Sequence, residues 1–336
     1  MESFTDPNAF PSIIGQAQTK EQLASALMMK HNVILVGPPG VGKTTLAKDV
    51  SRLLPEITAR DCPYHCDPEH PLCPQCRRGS GDTRTTTGEE RFVRVQGSPD
   101  LTVEDLFGDI DPTKALEYGP MSIEAFTPGK LFKANKGVLF FDELNRCPEK
   151  LQNALLQALQ EGIVTIGGYD VDLPADFYFI GTMNPQDSST EKLSDVFLDR
   201  VDLVYMSHPE TPEYEREITG TYGRRIDVTF PEPLLQSMIG FVRMLRTSDK
   251  LEKVPGVRGT LGLFERSQAH AYLAGRKEVK LKDVEAGVRS VLSHRISLKP
   301  SVKYLQDPSA FLEEKLQQFK QEMPVESTDK EEGDDP

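Results

Sequence analysis

Eight consecutive residues, Gly37-Pro38-Pro39-Gly40-Val41-Gly42-Lys43-Thr44, fill every position of the pattern G-x-x-x-x-G-K-[ST]. Glycines in such a loop let backbone N–H groups turn inward and approach phosphate oxygens without interference from a Cβ. Lys43 is then placed to reach the β- and γ-phosphates and Thr44 to offer its hydroxyl to Mg²⁺, with Thr45 beside it in the nucleotide-binding set. A second stretch, Gly137-Val138-Leu139-Phe140-Phe141-Asp142-Glu143, ends an apolar run in two acids. There Asp142 is expected to hold Mg²⁺ through its water shell, and Glu143 to orient and polarise an attacking water. Asn184 closes a further apolar run, Phe177 to Met183, where its amide would sit between the acidic strand and the γ-phosphate. Arg200 reads either as an arginine finger offered to a neighbour's ATP or as a surface ion pair with Asp199 or Asp202. Arg258 stands at a helix start, where the macrodipole disfavours a cation, so an anion is expected to face it. The chemistry this set implies is Mg²⁺-dependent ATP hydrolysis by in-line attack of water.

A different chemistry is written between residues 59 and 90. Cys62, Cys66, Cys73 and Cys76 form a C-x₃-C-x₆-C-x₂-C set in a Pro-rich loop with few apolar residues. Such a loop needs a staple, and two close Cys pairs on tight turns present four soft ligands to zinc. His65 and His70 are spare ligands. Zinc is the expected occupant; an iron–sulfur cluster, four surface thiols or a redox-responsive pair are the alternatives.

These residues need a scaffold. Val33-Ile34-Leu35-Val36 leads into the phosphate loop, and a helix through Leu46, Val50 and Leu53 leads out of it. Wholly apolar runs such as Val138 to Phe141 are what strands of a parallel sheet covered on both faces look like. Acids at their C-terminal ends lie where open α/β sheets bind ligands. Lys150 to Gly162 carries Leu151, Leu155, Leu156 and Leu159 in one stripe, a core-facing helix. Leu101 to Gly108 reads as a short helix capped by Asp100 or Thr102. The chain therefore divides into an αβα parallel-sheet domain over 1–210, a small all-helical domain over 211–300 and an acidic tail over 301–336, expected to be largely disordered. The first domain carries the cysteine-rich insertion 59–90, an insert over 97–129 and a β-hairpin over 162–174 around Gly167-Gly168.

Composition narrows the partners. The 336 residues carry a net charge of −13, of which −7 falls from Asp307 onward. That balance makes nucleic acid an improbable ligand. No apolar run is long enough to span a bilayer. Met1 to Asp6 is acidic and lacks the basic and apolar parts of a secretion signal, so a cytoplasmic protein away from membranes is expected.

The order phosphate loop, Asp142-Glu143, Asn184, Arg200, then a helical domain with Arg258, resembles AAA+ ATPases. Asp142-Glu143-Leu144-Asn145-Arg146 with Gln157-Ala158-Leu159-Gln160-Glu161 is similar to the MoxR family. The hairpin and the insert after Phe92 resemble those of the group containing MoxR proteins and magnesium chelatase. Cys62-Pro63-Tyr64-x-Cys66-Asp67-Pro68, followed by Cys73-x-x-Cys76, departs from MoxR sequences and looks like the ATPase subunit of magnesium chelatase. The resemblance implies a phosphate-loop αβα domain with a helical lid, Asn184 as sensor 1, Arg200 as arginine finger and Arg258 as sensor 2. It puts Ile13 and Ile14 near the adenine. It also implies a homo-hexameric ring and a partner bearing a von Willebrand factor A-type domain. The expected role is MoxR-like remodelling of client proteins or metal insertion, the alternative a chelatase subunit in tetrapyrrole synthesis, and a nucleic-acid translocase a third.

Overall fold

The structure is a computed structural model that describes residues 4–6, 8–79, 81–119, 122–165, 172–174, 176–185 and 193–322. Contacts divide the chain into two compact units. The first comprises residues up to Pro38 and Gly42–Ser207, the second Pro39–Val41 and the chain from His208.

The first unit is built on five parallel strands: β1 Val33–Val36, β2 Phe92–Gln96, β3 Val138–Asp142, β4 Tyr178–Met183 and β5 Asp202–Tyr205. Their order across the sheet is β5-β1-β4-β3-β2. Ile34, Val36, Leu139, Phe141 and Phe179 share one face and pack with Leu151, Leu155 and Leu156 of helix Glu149–Glu161. Alternation sends Val33, Leu35, Phe140 and Ile180 to the other face, where they too are buried. Burial on both faces is why these strands are continuously apolar.

Three short antiparallel ladders hang on this frame. Ile57–Arg60 pairs with Thr83–Thr86 and forms the stem of the cysteine-rich lobe. Gly108–Ile110 pairs with Phe126–Pro128 at the root of the 97–129 insert. Ahead of it, helix Val103–Phe107 is capped by Thr102, whose hydroxyl accepts from the Asp105 N–H while the Asp105 carboxylate accepts in return from the Thr102 N–H. Ile163–Thr165 pairs with Asp172–Pro174, and the expected hairpin tip at Gly167-Gly168 lies outside the described residues. Arg91 is buried and ties three segments together by donating to the carbonyls of Thr87, Lys136 and Pro55.

The second unit is helical: Pro212–Tyr222, Glu232–Arg246, Val257–Leu273, Leu281–Leu292 and Pro308–Glu322. One ladder, Leu251–Lys253 against Ser297–Leu298, departs from the all-helical expectation. So does the C-terminal stretch. Residues 301–336 were expected to be a largely disordered tail, yet Pro308–Glu322 is a helix with Phe311 and Leu312 fully buried. Phe319 packs on Phe241 with ring centroids 5.6 Å apart and the ring planes tilted by 59°. The acidic composition conceals an apolar stripe, Phe311, Leu312, Leu316 and Phe319, at helical spacing. No described helix is long and apolar enough to cross a membrane.

Glu215 is the polar centre of this unit. It is fully buried, and Arg246 donates to both carboxylate oxygens at 2.6 and 2.7 Å. Arg243 adds a third contact at 3.5 Å. Removing one partner of a buried pair strands the other charge, at a cost of about 3–5 kcal/mol. Glu215→Ala should lower stability of the full chain by that amount in urea titration. An unchanged midpoint would mean that the pair contributes nothing.

Candidate nucleotide-binding and hydrolysis site

The phosphate loop connects β1 to helix Lys43–Leu53. Gly42, at φ 101°, takes a left-handed conformation that a side chain would resist, and a Cβ there would come within 2.9 Å of Ile13 Cδ1. The turn aims the helix N-terminus at the loop, where free N–H groups and partial positive charge suit an anion. Lys43 Nζ donates to the loop's own carbonyls, Gly37 at 2.7 Å and Pro38 at 2.9 Å. Thr44 and Thr45 are half-buried in the first turn. The N-terminal segment is fastened to the same helix: Ser12 N–H and hydroxyl donate to the Asp49 carboxylate at 3.0 and 2.7 Å. That anchor holds buried Ile13 and half-buried Ile14 beside the loop.

The acids lie at the end of β3. Thr182 of β4, itself buried, donates its hydroxyl to Asp142 Oδ1 at 2.8 Å and accepts the Glu143 N–H at 2.8 Å. Glu143 is left-handed, at φ 55° and ψ 51°. A non-glycine residue held there stores about 1–3 kcal/mol, a feature that concentrates at functional sites. Gly97 explains part of the constraint, because its N–H donates to the Asp142 carbonyl at 2.6 Å and a Cβ on it would sit 2.1 Å from the Glu143 carbonyl oxygen.

Two side chains not anticipated from the sequence engage the acids. Arg94 Nη2 lies 2.5 Å from Asp142 Oδ2, and Gln96 Nε2 donates to Glu143 Oε2 at 3.0 Å. Arg146 approaches the same Glu143 oxygen at 3.3 Å. The pairing Gln96↔Asp142 between β2 and β3 brings them together. A signal was present: Arg94 and Gln96 alternate at the end of a strand in a mostly apolar sheet, which puts both on one face.

Sheet order supplies the rest. β4 runs between β1 and β3, so half-buried Asn184, next after β4, follows a strand flanked by those carrying the phosphate loop and the acids. Arg200 is different. It is exposed, donates to the Val196 carbonyl at 2.7 Å, and among the described residues pairs with neither Asp199 nor Asp202. Asp202 instead holds His31 Nδ1 at 2.8 Å. Arg200 precedes β5, and β5 pairs with β1 in parallel from Val33↔Asp202. It therefore stands at the end of the sheet opposite the phosphate loop, about 13 Å of strand away. Arg258 is in the first turn of Val257–Leu273. It and Gly40 both fall in the second unit, where a Cβ on Gly40 would meet Arg258 Cγ at 3.1 Å.

The donor set fits Mg²⁺ with a nucleotide: one carboxylate and one threonine hydroxyl are hard oxygen ligands that leave positions for water and phosphate oxygens, while the loop's backbone N–H groups suit the phosphates themselves. A phosphate loop after β1, an acid pair at the end of β3 with β4 between them, and the order β5-β1-β4-β3-β2 define an AAA+ ATPase. The comparisons agree. Residues 82–203 match the model of the ATPase family associated with various cellular activities, 9–64 that of magnesium chelatase, subunit ChlI, and 253–315 that of the AAA lid domain. The magnesium-chelatase subunit ChlI homolog of Methanocaldococcus jannaschii is 29% identical over 92% of this chain and 90% of its own length. The magnesium-chelatase 38 kDa subunit of Acidiphilium rubrum is 29% identical over 87% of this chain and 91% of its own. Among solved structures, a RuvB mutant of Thermotoga maritima superposes with a TM-score of 0.50 at 17% identity, over 84% of this chain and 73% of that one, a likeness of fold alone. Fold, site and family models make the chain an AAA+ ATPase, and it is similar to the magnesium chelatase ATPase subunits. It is an enzyme that hydrolyses ATP.

Proposed function

We propose that this ATPase is the nucleotide-driven subunit of a metal-inserting machine of the magnesium chelatase type, working in the cytoplasm as a homo-hexameric ring. One observation carries the role: relatives named as magnesium-chelatase subunits align along about nine-tenths of the chain. They favour metal insertion into a tetrapyrrole over the MoxR-like remodelling that Asp142 to Arg146 suggests. In this reading Gly37 to Thr45 hold the phosphates, and Ile13 and Ile14 face the adenine. Asp142 and Thr44 hold Mg²⁺, which when bound neutralises charge on the β- and γ-phosphate oxygens. Glu143 polarises the water, Asn184 and Arg258 sense the γ-phosphate, and Arg200 completes the site of the adjoining subunit. A von Willebrand factor A-type partner receives the conformational change. A second metal is structural: zinc on Cys62, Cys66, Cys73 and Cys76.

Replacing the ATPase subunit of a reconstituted magnesium chelatase with this chain tests the role. Mg²⁺ insertion into the tetrapyrrole, dependent on ATP, supports it; ATP turnover without insertion favours remodelling. The binding assignment has its own test. A charge-assisted hydrogen bond is worth about 1.5–3 kcal/mol, so Lys43→Ala should weaken Mg-ATP binding roughly 10- to 150-fold in calorimetry. Unaltered affinity would remove Lys43 from the phosphates.

A further inference from the structure

The four Sγ atoms of Cys62, Cys66, Cys73 and Cys76 all lie within 4.8 Å of one another, and none is in a disulfide. A zinc–sulfur bond of about 2.3 Å puts the corners of a tetrahedron about 3.8 Å apart, inside that limit. An iron–sulfur cubane spreads its thiolates over four separate irons and wants them further apart. Two backbone N–H groups already point at sulfur: Cys66 donates to Cys62 Sγ at 3.5 Å and Cys73 to Cys66 Sγ at 3.4 Å. Such bonds stabilise thiolate and set the turns that aim the ligands. Left-handed His65, at φ 44°, makes the turn between the first pair.

Among the described residues, the lobe's only apolar packing around the cysteines is Leu72 and Tyr64. Its outward contacts are specific. The Tyr64 hydroxyl donates to the Pro128 carbonyl at 3.1 Å, at the root of the 97–129 insert. Arg78, two residues beyond the last cysteine, lies over the Tyr118 ring at 4.7 Å, at the end of the insert's helix Pro112–Tyr118. Asn135 donates to the carbonyls of Tyr64 and His65, both at 3.2 Å, and Lys136 pairs with Asp67 at 2.6 Å. Every one of these groups is within two residues of a cysteine on the lobe side.

We propose that the zinc-held cysteine lobe is the platform that positions the 97–129 insert, with metal occupancy setting the order of the insert's root through Tyr64 and Arg78. The proposal rests on the zinc reading and goes beyond it.

The test is hydrogen exchange on the full-length protein, with and without metal removal by a chelator, alongside elemental analysis. About one zinc per chain is expected, with exchange at 108–110 and 126–128 rising about tenfold or more on removal while β1, β3 and β4 keep their protection. Tyr64→Phe should keep the zinc and still speed exchange at 126–128, which separates positioning from metal binding. Protein purified without added metal that holds neither zinc nor other metal would end the zinc reading itself. Zinc present, with insert exchange indifferent to its removal and to Tyr64→Phe, would leave that reading standing and overturn the platform.

Discussion

Arg200→Ala should bind Mg-ATP nearly as the unaltered protein does and hydrolyse it about 10³–10⁵-fold more slowly, the worth of an arginine finger in other phosphate-loop enzymes. The geometry argues for so large an effect from a residue that touches nothing in its own site. Arg200 precedes β5, at the far end of the sheet from Gly37 to Thr45, and its guanidinium is exposed on a helix carbonyl. A side chain so placed reaches a phosphoryl group only if another chain supplies it. A surface ion pair would be worth about 0–1 kcal/mol and would leave turnover unchanged. Steady-state phosphate release, with affinity measured separately, distinguishes the two. Full activity in Arg200→Ala would return the residue to an ordinary surface position.

Glu143→Gln should also retain nucleotide, and lose turnover by about 10²–10⁴-fold, the usual contribution of a positioned general base. The amide preserves shape and the left-handed backbone at φ 55°, so the loss would report the carboxylate and not the fold. Its partners sharpen the expectation. Gln96 donates to the carboxylate and Arg146 approaches the same oxygen. The carboxylate proposed to polarise water is thus held through Oε2 by both neighbours in this structure. Retained wild-type turnover in Glu143→Gln would mean that a different group activates water.

Much of this was legible because it is local. The phosphate loop and the Asp142-Glu143 pair are contiguous strings, each attached to an apolar strand that the sheet needs anyway. The cysteine spacing was equally plain, and the thiols do converge. What sequence did not show depends on register between distant segments. Arg94 meets Asp142 only because β2 pairs with β3 across 48 residues. Thr182 bridges the two acids for the same reason, and without its neighbours reads as one more residue in an apolar run. The helix Pro308–Glu322 was obscured differently. The acid-rich residues that follow it hid the four apolar residues that bind it to the second unit in one stripe.

The central claim is that each hydrolytic site joins Glu143 of one subunit to Arg200 of another, and mixing the two inactive variants tests it most directly. An equal mixture of Arg200→Ala and Glu143→Gln creates interfaces at which an intact Glu143 meets an intact Arg200, about a quarter of them if assembly is random. Phosphate release should accordingly recover to roughly that fraction of the unaltered rate, well above either variant alone. A mixture no faster than its components, with the unaltered protein fully active as a monomer at high dilution, would contradict the shared site.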